Sequence, residues 1–141
     1  MNQLCTFQLN GMLFGLPVEH VQEVIRFQHM TPVPLAPAVV SGLINLRGHI
    51  VTAIDLRARL ALPPAEIEPT NVVVRHAEGI ISLLVDEVGD VVEVDEASFE
   101  PPPPNLSPRM KTLVSGVYKL SSRLLLRLDT DRAVQTKEER S

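Results

Sequence analysis

Apolar and polar residues alternate through Cys5-Thr6-Phe7-Gln8-Leu9, the period-two signature of a strand with one buried face. Asn10-Gly11 follows, and residues 12–16 resume an apolar run. The pair therefore reads as the turn of a β-hairpin, because both residues tolerate positive φ. Between Pro17 and Ile25 two patterns compete. Val18, Val21, Val24 and Ile25 have helical spacing, yet branching at Cβ favours strands. A helical turn opened by Pro17, then a strand through about Phe27, accommodates both. Pro32, Pro34 and Pro37 punctuate the next connection, which leads to a short helix predicted to end near Gly42. A strand pair over residues 43–46 and 50–56 follows, around a turn at Arg47-Gly48-His49. Pro63, Pro64 and Pro69 end this half of the chain.

The second half repeats the plan. Strands are predicted over residues 72–75 and 80–85 around a turn at Glu78-Gly79. Val85-Asp86-Glu87-Val88 and a strand over residues 90–94 answer the Val18 to Ile25 segment. Pro101 to Pro104 form a stiff, extended connector, and Ser107-Pro108 opens a short helix with an N-cap and a proline at its first position. A shift of 74 lays residues 40–55 on residues 114–129 without a gap. Five of the sixteen positions are identical, among them the Val-Ser-Gly start (Val40/Val114, Ser41/Ser115, Gly42/Gly116) and the final Asp55/Asp129. The earlier hairpins correspond at offsets of 67 or 68. The chain is thus expected to be one domain over residues 1–141 built from two related β-lobes, about 1–69 and 70–141. The repeat leaves open that strands at the start of the chain cross into the other lobe.

Composition narrows the class. Eighteen valines and seven isoleucines favour pleated, half-buried surfaces, and twelve prolines leave little room for long helices. Thirteen basic against seventeen acidic residues give a net charge of −4, which argues against a protein that binds phosphate backbones. Residues 27–46 carry no formal charge and match a bilayer span in length, but three prolines within them break the internal hydrogen bonding that lipid demands. The first basic residue is Arg26, so no charged leader segment is expected. One cysteine excludes an intrachain disulfide framework and fits a reducing cytoplasmic compartment.

Candidate chemistry is sparse. His20, His29, His49 and His76 are scattered without metal-ligand spacing, and no nucleophile elbow, P-loop or dinucleotide fingerprint occurs. Neither a catalytic group, a metal site nor a cofactor is expected. Cys5 lies on an alternating strand and reads as a buried structural thiol. The seven carboxylates between Asp86 and Glu100 interleave with valines, as on a strand with one solvated face. Asp55 and Asp129 each precede a short helical segment and read as caps. Arg47 stands apart. In the second copy the frame Asn45-Leu46-Arg47-Gly48 becomes Lys119-Leu120-Ser121-Ser122, so the turn does not need arginine in order to form. Arg47 is therefore a candidate for an external contact through its planar fork of donors. The competing assignment is an internal salt bridge to a residue such as Glu23.

The run from Val40-Ser41-Gly42 through Asn45-Leu46-Arg47-Gly48 to Asp55-Leu56-Arg57 closely resembles the signature of CheW, the chemotaxis coupling family. Phe14-Gly15-Leu16-Pro17 to Val24-Ile25, residues 79–91, the proline run and Ser115-Gly116-Val117 are similar to its other blocks. The chain departs from the family at Ser121-Ser122 and at Arg127. The resemblance implies a mostly β fold of two SH3-like five-stranded β-barrel lobes with short helices. It implies a non-enzymatic cytoplasmic adaptor that joins chemoreceptor cytoplasmic tips to the regulatory domain of a CheA-type histidine kinase, without nucleic acid or membrane insertion. Val21, Glu23 and Arg47 match coupling positions, Asn45 belongs to the same block, and Gly42 and Gly48 shape the backbone around them. Gly42 also reads as the left-handed residue that ends a helix. Two alternatives stay open: an adaptor of a pilus-motility or other non-flagellar array, and a small-barrel binder of RNA or a small molecule.

Overall fold

A computed structural model describes residues 1–77 and 79–135. Ten strands form two five-stranded sheets. β1 (Asn2–Leu9) and β2 (Met12–Pro17) make the predicted hairpin, with Asn10 at φ 53° and Gly11 at φ 79°. A single 3-10 turn, Val18–His20, leads into β3 (Val21–Ile25). β4 (Val40–Leu46) and β5 (His49–Asp55) follow, then α1 (Leu56–Arg59). The second series is β6 (Thr70–His76), β7 (Gly79–Val85), β8 (Glu87–Val94), α2 (Pro108–Leu113), β9 (Val114–Lys119), β10 (Leu124–Leu128) and α3 (Thr130–Ala133). Glu78, half of the predicted second turn, lies outside the described residues.

The sheets do not divide the chain at residue 69. One has the order β8-β1-β2-β10-β9 and the other β3-β6-β7-β5-β4. Each half of the chain thus gives its hairpin to one sheet and its next three strands to the other. The crossings are short: the 3-10 turn after β2, and Asp86 alone after β7. The sequence repeat survives as structure, pair by pair. Val40↔Ile54, Gly42↔Ala53 and Leu43↔Thr52 become Val114↔Leu128, Gly116↔Arg127 and Val117↔Leu126, with an irregularity after the first pair in both copies. Asp55 and Asp129 cap α1 and α3, accepting from Ala58 N and Arg132 N at 3.2 Å each.

The predicted helix before Gly42 does not form. Gly42 lies inside β4, where a Cβ would sit 2.7 Å from the carbonyl oxygen of Thr31. The glycine permits a backbone to approach; it ends no helix. Thr31 and Leu43 exchange two hydrogen bonds of 2.8 Å, so the chain leaving edge strand β3 bridges to edge strand β4. Glu100 and Val117 do the same in the other sheet, at 2.9 and 2.8 Å. These bridges curl each sheet into a small barrel.

Three apolar clusters follow from this plan. Leu4, Leu13, Val94, Tyr118 and Leu125 fill one barrel, and Ile44, Leu46, Val51, Ala53, Val73 and Leu84 fill the other. The largest lies between the barrels, where Phe7, Leu9, Phe14 and Leu16 meet Ile54, Val72, Val74, Leu83 and Val85. The strands β1, β2, β6 and β7 are therefore covered on both faces. That explains runs such as Val72-Val73-Val74 and Leu83-Leu84-Val85, which lack alternation. Arg57 and Asp86 pin the crossing after β7 with two hydrogen bonds, at 2.7 and 2.5 Å. Asp86 also accepts from Asn10 N at 2.9 Å.

Candidate partner-contact surface

The β4–β5 hairpin turns on two residues, Arg47 at φ 51° and Gly48 at φ 87°. Positive φ at both central positions is the type I′ geometry that matches strand twist, and it is the geometry of Asn10-Gly11 as well. Asparagine tolerates it; arginine is an unusual occupant. Asn45 fixes the turn, its side-chain oxygen accepting from Gly48 N at 2.9 Å. Gly48 has open space around its missing Cβ, so its backbone angle is the reason for glycine.

The Arg47 guanidinium reaches across to β3. Nη1 donates to Glu23 Oε2 at 2.9 Å and Nη2 to Glu23 Oε1 at 2.8 Å, a bidentate fork. The internal bridge weighed against an external contact is therefore made. It does not withdraw Arg47 from solvent: its side chain is 74% exposed, whereas Glu23 is only 17% exposed. The pair ties one edge strand of the sheet to the turn beside the other. Glu23 presents Arg47 outward, with part of its donor fork still accessible.

Of the residues singled out by sequence, Glu23, Asn45, Arg47 and Gly48 come together at this turn. Val21 and Gly42 do not join them. Val21 is half-buried against the central cluster, and Gly42 is buried beneath the Thr31 bridge. Ile50 was not anticipated. It pairs with Asn45 and is 66% exposed, an apolar residue beside the Arg47 turn. The signal lay in the strand period: Val51 and Ala53 point into the barrel, so Ile50 must point out.

Ser115, His20 and Asp129 line one cavity of about 370 Å³, but they form no nucleophile–base relay. Ser115 donates to the Arg127 carbonyl at 3.2 Å, His20 Nδ1 lies 2.8 Å from Thr130 Oγ1, and Asp129 caps α3. Cys5 is buried, and burial pushes its thiol pKa up, away from the reactive thiolate. Among the described residues no group of three or more His, Cys, Asp or Glu could hold a metal ion, and no helix is long and apolar enough to cross a membrane.

The CheW-like domain family matches residues 3–138. The chain is 32% identical over 138 residues to the chemotaxis protein CheW of Bacillus subtilis (strain 168), covering 96% of this chain and 88% of that protein. It is 29% identical over 142 residues to CheW of Treponema pallidum (strain Nichols), covering 96% and 84%. Among solved structures, the scaffolding protein TtCheW from Thermoanaerobacter tengcongensis superposes with a TM-score of 0.81 at 30% identity, over 91% of this chain and 88% of that one. With two interleaved five-stranded barrels and a match over nearly its whole length, this chain belongs to the CheW family of chemotaxis coupling proteins.

Proposed function

We propose that this protein is a non-enzymatic cytoplasmic adaptor that couples chemoreceptor cytoplasmic tips to a CheA-type histidine kinase. The observation that carries the reading is the Glu23–Arg47 clasp: a charged fork held on an exposed, left-handed turn, where the second copy of the repeat has Ser121-Ser122 with neither residue at positive φ. Arg47 makes the charge-assisted contact, Glu23 orients it, and Asn45 and Gly48 hold the turn. Val21 contributes an apolar contact on β3, and Gly42 acts through the backbone of β4. The same surface would serve in a pilus-motility or other non-flagellar array.

Reconstitution tests this. Receptor-dependent autophosphorylation of the kinase should rise when the protein is added, and the protein alone should hydrolyse no ATP. A charge-assisted hydrogen bond contributes about 1.5 to 3 kcal/mol, so Arg47→Ala should weaken partner binding roughly ten- to a hundredfold. Arg47→Lys should rescue only partly, because an ammonium cannot reproduce the fork. ATP turnover by the protein alone that disappears in Asp55→Ala would refute the adaptor reading.

A further inference from the structure

The edge strand β3 carries Glu23, yet its own side chains do not fix how it lies. It pairs only with β6, and the register shifts between Val21 and Glu23, so the pairing before the shift does not dictate the pairing after it. Beyond the shift, Glu23 lies opposite Val73 and Ile25 opposite Asn71. Val73 and Ile25 pack in the cluster that fills this barrel, so Glu23 shares their inward face, while the apolar Val24 is exposed. A slip of one residue would turn Val24 inward and send Glu23 and Ile25 to solvent. Burial of one branched residue for another does not choose between the two registers. Two wholly buried polar side chains meet the end of the strand, Asn71 on β6 and Ser82 on β7. The Ser82 hydroxyl donates to Asn71 Oδ1 at 2.7 Å, and Asn71 Nδ2 donates to the carbonyl oxygen of Arg26, just past β3, at 3.1 Å. The other barrel fills the same place without polar groups. Its strand pairs match at an offset of 67, Leu4↔Pro17 answering Asn71↔Leu84 and Val91↔Cys5 answering Val24↔Val72. Leu4 and Gly15 thus stand where Asn71 and Ser82 stand, and Leu4 lies 3.3 Å from the place of a Cβ at Gly15. That barrel holds its edge strand at the shift itself, where Thr6 Oγ1 donates to the Asp90 carbonyl oxygen at 2.5 Å. Packing therefore does not require the Asn71–Ser82 pair.

We propose that Asn71, supported by Ser82, is a positioning residue for the Arg47 contact: it sets the register of β3, and that register turns Glu23 inward to hold the Arg47 fork. This rests on the adaptor reading above, in which Arg47 makes the contact. Only the aligned strand offers the buried Asn71 amide an acceptor; a slipped strand takes the Arg26 carbonyl away and leaves a buried donor unpaired, which is costly. Ser82 satisfies the oxygen of the same amide, so the pair is complete in one register and broken in the other. The amide aligns the strand, the strand places Glu23, and the Glu23 carboxylate receives the fork at 2.8 and 2.9 Å. Asn71 is wholly buried and touches no partner itself. A buried polar group used in this way specifies alignment rather than adding stability.

Three full-length chains separate this from a purely structural role: wild type, Ser82→Ala, and Asn71→Leu with Ser82→Gly, the apolar pair that the other barrel uses. Register is read without any partner, from cross-strand NMR contacts of the Val24↔Val72 pair. In the double variant these contacts should move to neighbouring residues or vanish, and the Arg47 guanidinium signals should match those of Glu23→Gln. Both polar partners leave together, so this chain should melt within about 2 to 4 °C of wild type. It should nevertheless bind the kinase or receptor fragment as weakly as Arg47→Ala does, roughly ten- to a hundredfold below wild type. Arg47→Ala should add no further loss in that background, whereas independent sites would add theirs. Ser82→Ala should show the opposite signature. It leaves a buried oxygen unpaired and should melt lower, but it keeps the Asn71 donor on Arg26 and so keeps register and affinity. Asn71→Ala with Ser82→Ala removes the same donor without added bulk and replaces the first double variant if that one does not fold. An unmoved register in the double variant overturns the proposal and leaves the adaptor reading intact. Affinity that falls in step with melting temperature across the variants overturns it too, by making the pair structural alone. If the wild type binds neither the kinase nor a receptor fragment, the adaptor reading fails, while the register and the Arg47 signals still decide whether Asn71 places Glu23.

Discussion

Arg57 and Asp86 are each about 14% exposed, and their pair is the most sheltered ion pair among the described residues. The hydrogen bonds from Arg57, first, and the Asn10 N–H hold the Asp86 carboxyl below its usual pKa. A carboxylate whose native pKa is depressed stabilises the fold fully above its unfolded pKa, about 3.9, and loses that contribution as pH falls through the native value. Urea midpoints measured between pH 7 and pH 3 should therefore fall, and Asp86→Asn should flatten the fall. Asp86→Ala strands the sheltered Arg57 and should cost about 3 kcal/mol at pH 7. The exposed Glu23–Arg47 pair behaves differently. An exposed pair contributes about 0.2 to 1 kcal/mol, and asparagine suits the left-handed turn. Arg47→Asn should therefore melt within about 0.5 kcal/mol of wild type while losing partner affinity. A large loss of stability would make Arg47 a holder of the fold rather than a contact.

At the level of strands and turns, three glycines rank themselves. A Cβ at Gly116 would meet the Phe99 ring at 2.2 Å and the Glu100 carbonyl oxygen at 2.6 Å; at Gly42 it would meet the Thr31 carbonyl oxygen at 2.7 Å; at Gly48 it would meet nothing within 4 Å. Overpacking costs about 1 to 3 kcal/mol, and a left-handed alanine roughly 1 kcal/mol. Urea titration of the three alanine variants should therefore order the losses Gly116, then Gly42, then Gly48; Gly48→Ala as the most damaging would contradict the bridging role. The strand hairpins were legible because Asn10-Gly11 and Arg47-Gly48 interrupt runs of matched period. Gly42 was misread because a glycine that ends a helix and one that admits a neighbouring backbone look alike in one dimension. The Glu23 bridge could be named only as one option, since 24 positions separate the partners. Leu35 gave no sign of its exposure, for an apolar residue in a proline-rich loop carries no mark of which way it points, whereas the strand period already turned Ile50 outward.

The exchange of strands between barrels could not be read from the repeat, because both halves offer the same local pattern to either sheet. Its physical basis is the central cluster, which joins β1 and β2 to β6 and β7 across the two barrels. Proteolysis within residues 61–69 should therefore leave two pieces that co-purify and melt together in one transition. Two separately melting fragments would show that each half of the chain folds alone, against the exchange of strands. The interleaving also bears on synthesis. The hairpin made first, β1 with β2, pairs with β8 and β10, and β10 is the last of the ten described strands to be synthesised. Phe7, Leu9, Phe14 and Leu16 wait for β5, β6 and β7 to cover them, and Leu4 and Leu13 wait for β8, β9 and β10, so the nascent chain carries an uncovered apolar hairpin until strands of both barrels have been made. Completion of the first barrel then awaits β10, and a chain cut short before it is an aggregation-prone product rather than half an adaptor.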